Sequence, residues 1–245
     1  MLLHQWNITL NNLEIKSTYK IIIYCAIAVF LGACSSIFDP RVSEGIIEYE
    51  ITYPGLEGDD FFMNLLPDKM VMKFKDNEFN SEISTAMGAF QTNLISNSNT
   101  YTFTNAVNLF NKRYQATVDK SSIAKVNKGF ENASVIFLDD TKKIAGFNCK
   151  KALVIFGDVS GSDHYVYYTE EIKYTDPNWS TPFRDIPGVL MEYGIERYDI
   201  PMYFKAVKFE KAKLTKKDFE VSDDHEPIEF ERLEAKINSV FESFQ

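Results

Sequence analysis

Apolar and polar residues alternate along most of the chain between residues 45 and 209. In residues 45–53, GIIEYEITY, every second position from Ile47 to Tyr53 carries a large apolar or aromatic side chain. A period of two with one apolar face is typical of a half-buried β-strand. Eight more segments follow this pattern: residues 70–75, 90–96, 101–107, 134–138, 152–156, 164–169, 189–193 and 202–209. Short strands separated by Gly, Asn, Asp and Pro clusters predict a mainly antiparallel sheet.

Two segments break this alternation and predict helices. Residues 59–66, DDFFMNLL, begin with acidic residues and stop at Pro67, as a short helix does. In residues 227–244 apolar side chains recur at helical spacing, and Pro227 suits a first helical turn. This segment therefore predicts an amphipathic C-terminal helix. The densely charged residues 211–224 before it are typical of a solvated connection.

The order of these elements, many strands first and one clear helix last, predicts the fold class. A doubly wound α/β fold needs a helix after nearly every strand, so it is excluded. We predict a mainly β (α+β) fold, in which a curved antiparallel sheet or half-barrel has a few helices packed on one side. Residues 45–245 are expected to form a single domain, because about 200 residues suit one hydrophobic core.

The most apolar stretch of the chain lies before the first predicted strand. Residues 21–33 carry no charge, follow two lysines and end in the small residues Gly32 and Ala33. A basic n-region, an apolar h-region and a small-residue cleavage site make a signal peptide. The run is also shorter than the roughly 20 residues that a membrane-spanning helix needs. We therefore expect a cleaved leader and no spanning helix here.

The residues Leu-Gly-Ala-Cys that end this stretch resemble the bacterial lipobox, in which the cysteine thiol is acylated. This predicts residues 1–33 as a lipoprotein signal peptide, Cys34 as the lipid attachment site and residues 34–44 as a tether. An ordinary secretory peptide with a chance cysteine is the alternative. Ser35 is not an acidic retention residue, which favours the outer membrane, and the tether lacks the acidic cluster associated with surface export. We expect an outer-membrane, periplasm-facing protein.

The cysteines and the net charge indicate which kinds of partner the protein can bind. Cys25 would leave with the signal peptide and Cys34 would carry lipid, so Cys149 is left as a free thiol without a disulfide partner. Removing residues 1–33 takes away two lysines and one glutamate, which moves the net charge from −9 to −10. Such an acidic protein is repelled by phosphate backbones and anionic lipid heads. We expect no nucleic-acid partner, and membrane contact through the lipid on Cys34.

The sequence lacks the common catalytic signatures. His164 and His225 are far apart in the mature sequence, so with one thiol they provide no Cys/His zinc spacing. No G-x-S-x-G, P-loop, H-E-x-x-H or G-x-G-x-x-G pattern occurs. The acidic pair Glu170-Glu171 would point to opposite faces of a continuing strand. We therefore expect a protein that is not an enzyme and uses no cofactor or metal.

The positive signal is an excess of large apolar side chains: 20 Phe, 13 Tyr and 7 Met. Met70, Met72 and Phe74, for example, make one face of a predicted strand. These residues can pack against the protein's own helices, which predicts a structural or interaction lipoprotein with no ligand cavity. They can also line an incompletely filled concave face that binds a lipid-like ligand. On that interpretation the three residues are candidate ligand-binding residues.

Three further segments share their pattern with known envelope proteins. Residues 185–192, DIPGVLME, have a Pro-Gly centre with aliphatic flanks, and Pro187-Gly188 predicts a tight turn. Together with IAGFNCKKA at residues 144–152 and YYTEEI followed by Trp179, this resembles the GLPGLI family of bacterial lipoproteins and secreted proteins, although Asp185 replaces the leading glycine of the motif.

The resemblance implies a cell-envelope location. By analogy it also implies a half-barrel like that of periplasmic lipoprotein carriers such as LolA. It implies no established activity and no catalytic residues, and Cys149, at the family's cysteine position, is expected to be buried. The leading hypothesis is a lipid-anchored envelope protein that binds an apolar ligand or an envelope partner on a curved β-sheet.

Overall fold

The computed structural model describes residues 39–56, 63, 66–85, 90–128, 130, 133–156 and 164–242. The chain divides into two compact units, Met1–Pro40 and Arg41–Gln245. The second unit contains the whole described sheet and its hydrophobic core. The predicted signal peptide and Cys34 lie outside the described residues, as does most of the predicted helix over residues 59–66.

Twelve strands form one continuous sheet in the described part of the chain. They are β1 (Glu44–Thr52), β2 (Lys69–Lys75), β3 (Glu78–Ser84), β4 (Phe90–Asn97), β5 (Thr102–Leu109), β6 (Lys112–Asp119), β7 (Ala133–Ile144), β8 (Phe147–Phe156), β9 (His164–Thr169), β10 (Val189–Arg197), β11 (Ile200–Glu210) and β12 (Glu226–Pro227). Their order across the sheet is β12-β6-β5-β4-β3-β2-β1-β11-β10-β9-β8-β7. The pairs are antiparallel except β12–β6, which is parallel. The sheet is mixed and not closed, since β12 and β7 end it.

The predicted mainly β fold is confirmed, and each of the nine predicted strands is present. Strands β3 and β6 were not predicted, because EFNSEIS and KRYQATVD carry polar residues on both faces. They form because β2 and β5 supply backbone partners along their whole length. We call the face of the sheet that carries Ile47, Met72 and Phe103 the inner face, and these three side chains are buried.

Tight hairpins connect several of the strands. Asp76-Asn77, Ala145-Gly146 and Tyr198-Asp199 each form a two-residue turn in which both residues have positive φ. Such turns match the twist of antiparallel strands, and Gly, Asn and Asp tolerate this conformation best. Successive strands therefore lie side by side in most of the sheet.

The described residues contain two α-helices, α1 (Ile123–Val126) and α2 (Phe230–Glu242). The C-terminal helix is confirmed, but its predicted start at Pro227 is wrong. Pro227 lies in β12 and pairs with Gln115 of β6, whose carbonyl accepts a hydrogen bond from Ile228 N–H. Pairing with β6 thus delays the helix by three residues. Neither helix is long and apolar enough to cross a membrane.

The charged connection after β11 is partly buried, so its description as simply solvated is wrong. Leu214 and Phe219 are buried, and Lys216–Phe219 form a 3-10 helix. Lys73 Nζ lies 2.8 Å from Asp218 Oδ1, and Asn80 Nδ2 donates to Asp218 O at 2.8 Å. These bonds fix the connection against the outer face of β2 and β3.

Candidate ligand-binding cavity

The inner face of the sheet borders a cavity of about 260 Å³. Strands β1–β5, β10 and β11 contribute one side, and α1, α2 and residues 174–183 contribute the other. Most lining side chains are apolar or aromatic, as in pockets that bind small apolar molecules. The arrangement follows from the alternation, because the inward positions of neighbouring strands carry large apolar residues.

The three residues proposed from the sequence lie together in this cavity. Met70, Met72 and Phe74 occupy the inward positions of β2, and all three line the cavity wall. They are 4%, 8% and 1% exposed, so other parts of the chain cover them. Tyr49 of β1, opposite Met70 in the sheet register, donates from its hydroxyl to Leu190 O at 2.8 Å. The methionines thus belong to a wall that the protein itself holds in place.

The segment between β9 and β10 supplies much of the opposite wall, which the sequence did not predict. Tyr174 and Phe183 line the cavity. Asn178 Nδ2 donates to Ile186 O and Gly188 O, both at 2.8 Å, and Ser180 Oγ lies 3.1 Å from Ser96 Oγ of β4. These bonds join the segment to itself and to the sheet. Of the residues behind the family resemblance, Val189 and Leu190 line the cavity.

Gly188 has a different role from the predicted one. The hydrogen-bonded turn lies before the Pro-Gly pair, where Ile186 N–H donates to Phe183 O at 2.9 Å. A Cβ on Gly188 would lie only 2.4 Å from Thr169 O. The position therefore needs glycine because the backbone passes directly against β9, and the chain bends at Gly188 as it enters β10.

Three polar side chains interrupt the apolar floor of the cavity. Ser81 of β3, Thr92 of β4 and Asn105 of β5 are 4%, 7% and 6% exposed and line the cavity. Thr92 Oγ1 donates to Asn105 Oδ1 at 2.7 Å. The sequence carried a signal for two of them, because Thr92 and Asn105 lie at inward positions of predicted strands. Ser81 was missed together with β3.

A charged group lies at the part of the cavity formed by the helices. Arg197 of β10 donates to Val126 O at 2.8 Å and to Asn127 Oδ1 at 3.4 Å. Tyr198 OH donates to both oxygens of Glu234 at 3.1 Å. Burial raises the pKa of Glu234, opposed by the positive charge of Arg197 and the Tyr198 bond, and burial lowers the pKa of Arg197. Arg197 and Glu234 therefore have their hydrogen-bond partners within the protein.

Cys149 is a buried free thiol, and this prediction is confirmed. Its side chain is 0% exposed, and its S–H donates to Phe147 O at 3.6 Å. Burial raises the pKa of the thiol to about 11, so at neutral pH it is not a thiolate. Among the residues that the structure describes, no three His, Cys, Asp or Glu side chains are grouped so that they could hold a metal.

Comparisons with known proteins give structural likeness only. No protein-family model matches the chain, and no curated protein matches it. Two crystal structures of PNGF-II, in space groups P21 and C2, match 80% and 82% of this chain with TM-scores of 0.53 and 0.52. A β-barrel-like protein of the DUF1849 domain family from Brucella abortus matches 71% of it at 10% identity, with a TM-score of 0.34.

The likeness to PNGF-II is one of fold. Identity is 14% in both comparisons, and this chain spans about a third of the PNGF-II chains, since 33% of each is covered. At such identity a shared fold does not carry over an activity or a site. The β-sheet architecture of this protein therefore recurs in part of a larger known protein.

Proposed function

We propose that this chain is a lipid-anchored cell-envelope protein that binds an apolar, lipid-like ligand in the cavity on the inner face of its sheet. The observation that carries the proposal is the cavity of about 260 Å³, bordered by Met70, Met72 and Phe74. Protein interiors are close-packed, so an apolar space of this size is a place for a ligand. The proposal includes a half-barrel fold for this chain, like that of periplasmic lipoprotein carriers such as LolA.

The apolar area that a ligand would cover is enough for useful affinity. Burying about 300 Å² of apolar surface is worth roughly 7 kcal/mol at about 25 cal/mol per Å². The loss of motional freedom of the ligand offsets part of this gain. Before that cost, about 7 kcal/mol corresponds to a dissociation constant of about 10 μM, so the expected dissociation constant lies between about 10 μM and 1 mM. In a structural lipoprotein without a ligand, we would expect the protein's own side chains to fill the space on the inner face.

Binding rather than catalysis is the proposed role of the site. The ionisable side chains at the cavity are Arg197 and Glu234, and both are held by protein groups. Glu234 accepts from the Tyr198 hydroxyl, but burial raises the pKa of that hydroxyl, whereas covalent catalysis needs an activated nucleophile. The envelope location rests on the lipobox that ends in Cys34 and on the resemblance to the GLPGLI family.

A paired substitution on β2 tests the site. Met72→Asp places a charge on the inner face, whereas Val71→Asp places the same charge one residue away on the outer face. The unit Arg41–Gln245 is purified from cells, analysed by native mass spectrometry for a retained ligand, and titrated with a fluorescent fatty acid. We expect wild type and Val71→Asp to bind with similar affinity and Met72→Asp to lose binding.

A second variant controls for loss of binding that is caused by unfolding of Met72→Asp. Ile83→Trp fills the cavity from β3 without adding a charge, and it should also abolish binding. Circular dichroism establishes that each variant is folded. Absence of any retained molecule together with no uptake of the fatty acid by wild type would refute the proposal. Equal binding by the folded cavity variants would refute the assigned location.

A further inference from the structure

Three polar residues lie near one another on the cavity floor: Ser81, Thr92 and Asn105. Ser81 and Asn105 both lie opposite Leu94 of β4 in the sheet register, on its two sides. Thr92, two residues before Leu94, lies on the same inner face and donates to Asn105 Oδ1. A polar row therefore crosses a floor that is otherwise built from residues such as Phe79 and Phe103.

This row contains hydrogen-bonding capacity that the protein does not use. The bond from Thr92 occupies Asn105 Oδ1, which leaves the NH₂ group of that amide. Within the described residues, no hydrogen bond of Asn105 Nδ2 or Ser81 Oγ is found, and both residues line the open space of the cavity. A ligand that displaces water from such a polar group without bonding to it loses free energy. A ligand oxygen beside either group avoids this loss, and Leu94 lies between the two groups.

We infer that the ligand is a single-chain amphiphile with an uncharged carbonyl or hydroxyl oxygen, that Asn105 Nδ2 binds this oxygen, and that Ser81 Oγ, on the other side of Leu94, offers the polar end a second contact. This inference rests on the proposed function and names the ligand class. Asn105 donates to the ligand oxygen, while Ser81 donates to a carbonyl or accepts from a hydroxyl. The aliphatic chain of the ligand lies along the apolar wall that includes Met70 and Met72.

The charge distribution favours an uncharged polar end. A buried carboxylate needs a cation, and burying an unpaired one is costly. Arg197, the cationic side chain that lines the cavity, already donates to Val126 O and Asn127 Oδ1, and Glu234 opposes its charge. The cavity of about 260 Å³ is also small for a molecule with two long acyl chains. An alcohol, ester or amide with one chain fits these constraints.

A set of ligands with one chain length tests the inference. The unit Arg41–Gln245 is titrated at pH 7.4 with 1-decanol, decanoate and decane, each measured by displacement of a fluorescent probe. One good hydrogen bond corresponds to about five- to tenfold in affinity. We expect 1-decanol to bind about five- to tenfold more tightly than decane, and also more tightly than decanoate.

Substitutions then locate the polar contact. Asn105→Leu keeps the approximate shape but removes the amide, and Ser81→Ala removes only the hydroxyl. Each should reduce the preference for 1-decanol over decane by severalfold and leave decane binding at least as tight. Asn108→Leu is the matched control, because Asn108 lies on the outer side of the same strand and donates to Gln91. It should keep the preference.

The outcomes separate the two proposals. Equal affinity for decane and 1-decanol, or an unchanged preference in both folded variants, overturns the assigned polar contact and leaves ligand binding intact. Tighter binding of decanoate overturns the uncharged ligand class. Binding of none of the three ligands, with no displacement of the probe, overturns the proposed function and this inference together.

Discussion

At the residue scale, Gly188 is where the backbone leaves no room for a side chain. A Cβ there would lie 2.4 Å from Thr169 O, and the contacted atom belongs to the backbone of β9, which cannot swing away. The nearby amide of Asn178 also holds the Gly188 carbonyl at 2.8 Å. Movement of residue 188 would therefore disturb the wall of the cavity.

We expect Gly188→Ala to lower the free energy of unfolding by about 1–3 kcal/mol, because the added methyl group overpacks the interface with β9. Urea denaturation followed by circular dichroism measures the change. Gly194→Ala on β10, the strand that follows Gly188, is the control, because its Cβ would meet a His164 ring atom at 3.2 Å and a side chain can move aside. A cost for Gly188→Ala no larger than for this control would contradict the explanation.

At the element scale, ion pairs hold the connection after β11 against the sheet. Hydrogen bonds from Lys213 and Lys75 lower the pKa of Glu44 to about 2. A hydrogen bond from Lys73 lowers the pKa of Asp218 to about 2. Each carboxylate is therefore harder to protonate in the folded chain than in the unfolded chain, where the values are 4.5 and 3.8.

The sign of these shifts predicts an acid-sensitive attachment. The contribution of both carboxylates is fully present above about pH 5 and is lost as the pH falls toward 2. We expect the double variant Glu44→Gln, Asp218→Asn to show a smaller decrease in the urea midpoint between pH 5 and pH 2 than wild type. Identical pH profiles for the two proteins would show that these pairs do not stabilise the fold.

The edge strand β7 combines exposed apolar side chains with a pair of acidic residues. Ile136 and Phe137 are 48% and 56% exposed on it. Asp139 and Asp140 follow at an irregularity in the register with β8, between Leu138 and Thr141. Charges and bulges on an edge strand discourage pairing with other chains. The acidic pair therefore keeps this apolar edge from associating.

Replacement of both edge aspartates by valine should expose a continuous apolar strand and cause self-association. Size-exclusion chromatography with light scattering, at several protein concentrations, measures the molecular mass. The control variant Asp185→Val, Glu196→Val makes the same change in charge at exposed positions away from β7. Association of both variants to the same degree would attribute the effect to net charge and not to the edge.

At the scale of the whole molecule, the proposed anchor decides where the protein is found. Cys34 lies outside the described residues, so its acylation stays a prediction from the lipobox. A single acyl chain gives only marginal membrane attachment, whereas two give stable attachment. We expect Cys34→Ala to move the protein from the membrane fraction to the soluble fraction of fractionated cells. Cys149→Ala, which removes only a buried thiol, should stay with the membranes.

Protease treatment of intact cells addresses the orientation of the same molecule. A periplasm-facing domain is protected until the outer membrane is permeabilised. We expect the wild-type protein to survive shaving of intact cells and to be cleaved after permeabilisation. Loss of the domain from intact cells would contradict the periplasmic orientation, and membrane retention of Cys34→Ala would contradict the anchor.

Much of the fold was predictable because a strand needs only a local pattern. Ile47, Tyr49 and Ile51 alternate with polar residues, and that alternation determines which side chains point inward. The inward position of Met72 followed in the same way. Strand β3 and the start of α2 were not predictable locally, since each depends on backbone partners from distant segments.

The sequence by itself determined the positions of nine strands and the inward face of β2, because period-two patterning is read within a few residues. The tertiary structure decided whether that inner face would be filled or would leave a cavity. Whether a cavity remains depends on how the segment around Asn178 and helix α2, which carries Glu234, pack over the sheet. The tertiary structure also placed Ser81 and Asn105 on either side of Leu94, since only the register of three strands places residues so distant in sequence on one floor.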